Sequence, residues 1–323
     1  MNSLISPSDF RKQLADYKKA NPDKKKKVDP DLKRDLQHGW LLNYLMPLES
    51  MVWGRWAYWV HIQQFKKLPK EGIPQIEFNC GNGNSAESGD SITMKHLDEC
   101  LSLICKYGSW QGWSGANILE YFLDWLLYGF GSHTQTKLPK EPNGCEGASI
   151  RLYQYFDLSY LVAYPWDYFG YLFSESNIGK GSAFFPTPHN VVHMMTLMTM
   201  GQPSDQDSRL FAVCDPCVGT GRMLLYASNY SMRGYGQDIN PFCVKATMVN
   251  CYLYAPWFAK PLTVIDDLAK EVEALTGLSL EFQRLVKNKS LQSLIDPNNL
   301  AASRASGLLE SINVDSIDWF SVI

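Results

Sequence analysis

Two carboxylates and two glycines carry the most chemistry in this chain. Asp215 closes the apolar run Leu210-Phe211-Ala212-Val213-Cys214, Gly219 and Gly221 follow it, and Asp238 stands 23 residues further on, after Gly234-Tyr235-Gly236-Gln237. An apolar run ending in an acid and a glycine-bearing loop reads as a buried parallel strand whose loop passes close to a ligand. Glycine permits positive φ and carries no Cβ to hold a ligand away. An acid about 20 residues past such a loop suits ribose, because a carboxylate accepts two hydrogen bonds from a cis-diol. The elements needed to position these groups are a strand to Asp215, a helix beginning near Met223-Leu224-Leu225, and a second strand ending at Asp238. The residues describe a nucleoside cradle. Another nucleotide would also fit it, although dinucleotide-binding domains use a different glycine spacing.

The stretch Asp215-Pro216-Cys217-Val218-Gly219-Thr220-Gly221 resembles the D-P-x-x-G-x-G S-adenosylmethionine loop of N6-adenine DNA methyltransferases, particularly the modification subunits of type I restriction systems. Upstream, Gly181-Ser182-Ala183-Phe184-Phe185-Pro186-Thr187-Pro188 is similar to that family's G-x-F-F-T-P segment, with Pro186 inserted. Trp166-Asp167-Tyr168-Phe169-Gly170-Tyr171-Leu172 resembles its D-x-x-G-x-x-Y segment, and Asn250-Cys251-Tyr252-Leu253-Tyr254 its N-x-x-L-Y. The likeness spans roughly residues 163–268. It implies an α/β fold: a Rossmann-like methyltransferase sheet, incomplete and ordered 3-2-1-4, after a mainly helical N-terminal domain. It also implies S-adenosyl-L-methionine as cofactor and DNA as partner. By the same resemblance Phe184, Phe185, Thr187 and Pro188 lie at the methionine end, and Asp215, Pro216, Cys217, Gly219, Thr220 and Gly221 form the cradle. Asp238 with Ile239 takes the ribose side. Asp266 or Asp267, after a third strand at residues 262–268, takes the adenine.

The family methylates the exocyclic amine from an Asn/Asp/Ser-Pro-Pro-aromatic turn after a fourth strand, acting on a base flipped from the duplex. No such turn is spelled in the sequence. Asp296-Pro297-Asn298-Asn299 keeps the acid and first proline, which makes Asp296 the catalytic candidate, and residues 317–323 resemble the fourth strand. The expectation is therefore a truncated enzyme, a split enzyme whose partner subunit carries the turn, or a relative that no longer methylates. The function expected is adenine-specific methyl transfer. The alternative is a non-catalytic cofactor-binding or assembly subunit of a restriction-modification or antirestriction system.

Three regions follow from the rest of the chain: a charged, partly disordered lead-in at 1–36, a helical domain at 37–150, and the cofactor domain at 151–323. Helical spacing recurs at 40–65, 93–107 and 115–130, and the aromatics of the first stretch read as core rather than as base-stacking groups. A net charge of -3 gives no global attraction to nucleic acid, so DNA contact would need a local patch or a partner. Eight dispersed cysteines read as reduced thiols, and Cys214 and Cys217, despite C-x-x-C spacing, as packing and loop residues. His189 and His193 lack a third ligand nearby, so no metal is expected. Without a signal peptide or an 18-residue apolar run, a cytoplasmic protein with no membrane contact is expected.

Overall fold

The computed structural model describes residues 5–20, 34–78, 89–105, 115–175, 184–201 and 207–272. The chain divides into two units, Met1–Val60 with Ile73–Pro261, and His61–Gly72 with Leu262–Ile323. Helices dominate: α1 (Pro7–Ala20), α2 (Leu42–Val52), α3 (Arg55–Phe65), α4 (Ser91–Ile104), α5 (Gly115–Gly129), α6 (Ala148–Tyr155), α7 (Ser159–Ala163), α8 (Tyr168–Glu175), α9 (His189–Met200), α10 (Arg222–Ala227), α11 (Pro241–Tyr254) and α12 (Pro256–Ala259). Two strands, β1 (Ala212–Asp215) and β2 (Arg233–Gly236), pair in parallel with Asp215 opposite Gly236. The fold is thus mostly helical with a small parallel sheet. Among the described residues no helix is long and apolar enough to cross a membrane.

Helix α11 is the central element, packing against α5, α8, α10 and α12. Its start is set by Asn240, whose Oδ1 accepts the Phe242 N–H at 3.0 Å, and by Pro241 in the first turn, where a missing N–H costs nothing. From Val249 to Tyr254 every residue is buried. In helix α5 the positions helical spacing predicts, Ile118, Leu119, Phe122, Leu123, Leu126 and Leu127, are all buried, and so are Tyr121, Trp125 and Tyr128. Of the aromatics of 40–65, Trp53, Trp56 and Tyr58 are buried and Trp40 and Trp59 half-buried, whereas Tyr44 and Phe65 are exposed. Trp53 Nε1 donates to Val162 O at 2.7 Å and Trp56 Nε1 to Tyr252 O at 3.1 Å, so these two indoles keep their polar edges paired.

Two expectations are corrected. Residues 263–272 are helical, so the third strand is absent there; buried Leu262, Ile265 and Ala269 recur at helical spacing. Strand β1 is not buried: its residues alternate between exposed and half-buried, and Cys214 and Cys217 are both exposed. Within the lead-in, Pro7–Ala20 folds as α1. It buries no residue and is tied down by Arg11 Nε to Ala163 O at 2.7 Å and by Lys18 to Asp157 at 3.8 Å. The lysine run 24–27, Asp296 and the strand anticipated at 317–323 lie outside the described residues, as does most of the polar loop at 79–91.

At the α2–α3 corner a fully buried carboxylate caps a helix. Glu49 accepts the backbone N–H groups of Arg55 at 3.1 Å and Trp56 at 2.7 Å. Burial pushes this carboxyl up to about 7, against the opposing pull of those donors and of Arg55. The Arg55 side chain, also fully buried, reaches Pro74 O at 2.8 Å, Ser228 Oγ at 2.7 Å, Tyr254 O at 2.6 Å and Asn229 Oδ1. Removing the Glu49 acceptor would strand two buried donors. Glu49→Ala should therefore lose about 3 kcal/mol of stability by urea unfolding; a loss within error of zero would show that the corner is not held this way.

Candidate functional site

The loop after β1 is built from its own backbone and two acids. Asp215 Oδ1 accepts the Cys217 N–H at 3.1 Å, which turns the chain sharply after the strand. Gly219 and Gly221 take φ of 54° and 91°, a region in which a side chain is strained. The loop is stitched to the end of β2 by Val218 N to Gln237 O at 2.9 Å and Gln237 N to Asp215 O at 3.1 Å. Gly219 N donates to Asp238 Oδ2 at 2.9 Å, while Asp238 Oδ1 accepts Asn240 N at 2.8 Å. The two strand-end acids and the glycine loop are thus fixed side by side. Each Asp238 oxygen has one protein donor and keeps acceptor capacity.

Beneath the loop sits a carboxylate to which sequence reading assigned no role. Asp167, fully buried, accepts Gly170 N at 2.9 Å and Asn250 Nδ2 at 2.8 Å on Oδ1. On Oδ2 it accepts Thr220 Oγ1 at 2.6 Å and Arg222 Nε at 2.8 Å. Burial would raise its pKa, but Arg222, the Thr220 hydroxyl and the remaining donors outweigh it and hold the carboxyl below its usual range. The D-x-x-G spacing has a steric cause here. A Cβ on Gly170 would lie 2.1 Å from Asp167 Oδ2 and 2.5 Å from Thr220 Oγ1. Asn250 Nδ2 also donates to Thr220 O at 2.8 Å, and Thr247 Oγ1 to Gly219 O at 2.8 Å, so α11 grips the loop from below.

The residues 184–188 reach the same place from the other side. Phe184 lies 5.0 Å from Phe173, which stacks on Phe242 at 4.1 Å, and a Cβ on Gly219 would come within 3.3 Å of the Phe184 ring. Thr187 O accepts Arg222 NH1 at 2.9 Å. Pro188 caps α9, and His189, the first residue of that helix, is buried against Trp166 at 5.0 Å with Nδ1 3.1 Å from the Tyr226 hydroxyl. His193 also packs near Tyr226.

Most of the anticipated site residues converge: Phe184, Thr187, Pro188, Asp215, Gly219, Gly221 and Asp238 surround one loop. Phe185 and Ile239 stand out from it, 87% and 102% exposed, and Pro216 and Cys217 are exposed at its tip. Thr220 differs from expectation, because its hydroxyl turns inward to Asp167. Asp266 lies on the 263–272 helix in the second unit, so the strand-end argument for it does not hold. The residues that sequence reading missed, Asp167, Arg222 and Asn250, include two that stood in the quoted motifs without a role.

Burial, with Arg222 reinforcing it, holds the His189 imidazole down to about 3, from 6.5. Between those values the unfolded chain binds more protons, so stability falls as pH drops through this window, and the lowered Asp167 adds to the loss further down. The contribution of His189 should approach ~1.4 kcal/mol per pH unit in urea midpoints taken between pH 6 and 4. Glu49, held up at about 7, contributes the opposite slope over part of this range, so His189→Gln should lower the net slope by about the His189 contribution, and an unchanged slope would remove His189 as a contributor.

Residues 166–259 match the family model described as N-6 DNA Methylase. No curated protein and no solved structure matches the chain. The matched span begins beside Asp167, contains the glycine loop and Asp238, and ends with the last residue of α12. The segment from Trp166 to Ala259 is therefore similar to the N-6 DNA methylases.

Proposed function

We propose that the loop after β1 binds S-adenosyl-L-methionine and that the protein serves methyl transfer to the exocyclic amine of adenine in DNA. It would do so alone or with a partner subunit carrying the catalytic turn. The observation behind this reading is the paired arrangement of Asp215 and Asp238 on adjacent strand ends, with Gly219 N–H locked to Asp238 at 2.9 Å. A ribose cis-diol would find the spare acceptor capacity of Asp238, and the exposed Ile239 beside it offers an apolar surface for a purine ring. Residues 184–188 would cover the methionine end, with Phe184 against the glycines. The bound cofactor supplies an electrophilic methyl group; the residues named here hold and orient it. A compartment with access to DNA, such as the cytoplasm of a cell without a nucleus, fits this role.

A second reading is favoured by the formal net charge of -3, which gives no global attraction to nucleic acid. On that reading the protein binds the cofactor as a non-catalytic subunit of a restriction-modification or antirestriction system. Calorimetric titration with S-adenosylmethionine tests what the two share. Binding in the parent should weaken at least ~10-fold in Asp238→Ala and in Asp215→Ala. Absence of binding in the parent would overturn both readings. Transfer of labelled methyl groups to adenine-containing DNA by a binding-competent protein separates the first from the second.

A further inference from the structure

We infer that Arg222 is a positioning residue that sets the segment 184–188 over the glycine loop, and that Asp167 fixes Arg222 for this task. The inference rests on the cofactor reading above and deepens it. Arg222 is the first residue of α10, directly after the left-handed Gly221, and its side chain is 5% exposed. Nε points to Asp167 Oδ2 at 2.8 Å and NH1 to Thr187 O at 2.9 Å. One planar group therefore measures the separation between a carboxylate fixed beneath the loop and a carbonyl of the segment above it. Arginine suits this because its donors are rigidly spaced, whereas lysine presents one mobile ammonium.

The neighbouring contacts confine the same stretch. The Arg222 guanidinium lies 5.8 Å from the Trp166 ring, and Trp166 stacks on His189, two residues beyond Thr187. Four residues along α10, Tyr226 meets His189 through its hydroxyl. Thus α10 holds Thr187 and His189 together, and it does so from the helix that the glycine loop itself starts. At the other end of the segment, Phe184 sits against Gly219. Between these anchors Phe185 and the Thr187 side chain are exposed, so the Thr187 carbonyl is an inward anchor of a stretch that otherwise faces solvent. A shift of the guanidinium would move the 184–188 segment relative to the loop while leaving Asp238 and its link to Gly219 in place.

The consequence is selective. Loss of the tie should weaken recognition of the amino-acid end of the cofactor and spare its nucleoside end. Arg222→Lys in the full chain keeps a cation beside Asp167 and avoids leaving that carboxylate buried alone. Two readouts apply to it: hydrogen exchange of peptides covering 184–190 and 241–254, and calorimetric affinity for S-adenosylmethionine and for 5′-methylthioadenosine, which lacks the amino-acid portion. Exchange should quicken in 184–190 and stay unchanged in α11, and affinity should fall about tenfold for S-adenosylmethionine and less than about twofold for methylthioadenosine. Asp167→Asn should act in the same direction. Parallel loss of both ligands with faster exchange in α11 would mean that Arg222 merely supports the fold, and would overturn the inference. Unchanged exchange in 184–190 would overturn it as well. A parent protein that binds neither ligand would sink the cofactor reading and the selectivity with it, while the exchange comparison would still decide whether the tie exists.

Discussion

Burying an ionised carboxylate is tolerable only when nearly every lone pair is met, and Asp167 satisfies that condition with three donors from two other parts of the chain and one from its own turn. The geometry of the glycine loop follows from it. The Thr220 and Arg222 side chains are drawn inward, while just ahead of them Gly219 N–H meets Asp238. Asn250 joins the hub to the loop at Thr220 O, which registers α11 against the loop. Removing one partner would leave an uncompensated charge in the interior, typically worth about 3–5 kcal/mol. The hub therefore specifies an arrangement as well as contributing to stability.

The glycine loop, the two acids and the parallel pairing of their strands were legible in the sequence because each is a local pattern: an apolar run, an acid, then glycine. So was the inward face of α5. The hub was not legible, since its bonds join residues 53 to 83 positions apart and no periodicity signals them. Only the fixed spacing of Asp167 and Gly170, and the asparagine ahead of Leu253-Tyr254, offered a hint. The run Leu262-Thr263-Val264-Ile265 misled because its β-branched residues favour strands while Leu262, Ile265 and Ala269 bury at helical spacing. Short apolar runs carry both periods, and here the buried positions follow the helical one.

The helical part of the first unit is bound to the site by polar contacts of long range. The first compact unit takes in residues on both sides of position 150, with Arg55 and Trp56 of α3 bonded to carbonyls of α11. The Arg55 guanidinium, even pushed down to about 9 by burial, keeps its charge at neutral pH, and apart from Pro74 O its acceptors come from the ends of α10 and α11. Those helices carry Arg222 and Asn250, so the N-terminal helices brace the elements that hold the glycine loop.

The two halves of the Glu49–Arg55 corner differ in when they can form during synthesis. Glu49 finds its two donors within seven residues, so this turn can close as soon as α3 leaves the ribosome. The Arg55 side chain has to wait for Ser228, Asn229 and Tyr254, some 173 to 199 residues later. Until then a cation destined for the interior stays hydrated, and the nascent N-terminal helices lack the contacts that close their inner surface. Folding of this unit is consequently tied to completion of α11, and with so much of its closure non-local it belongs among the slower topologies.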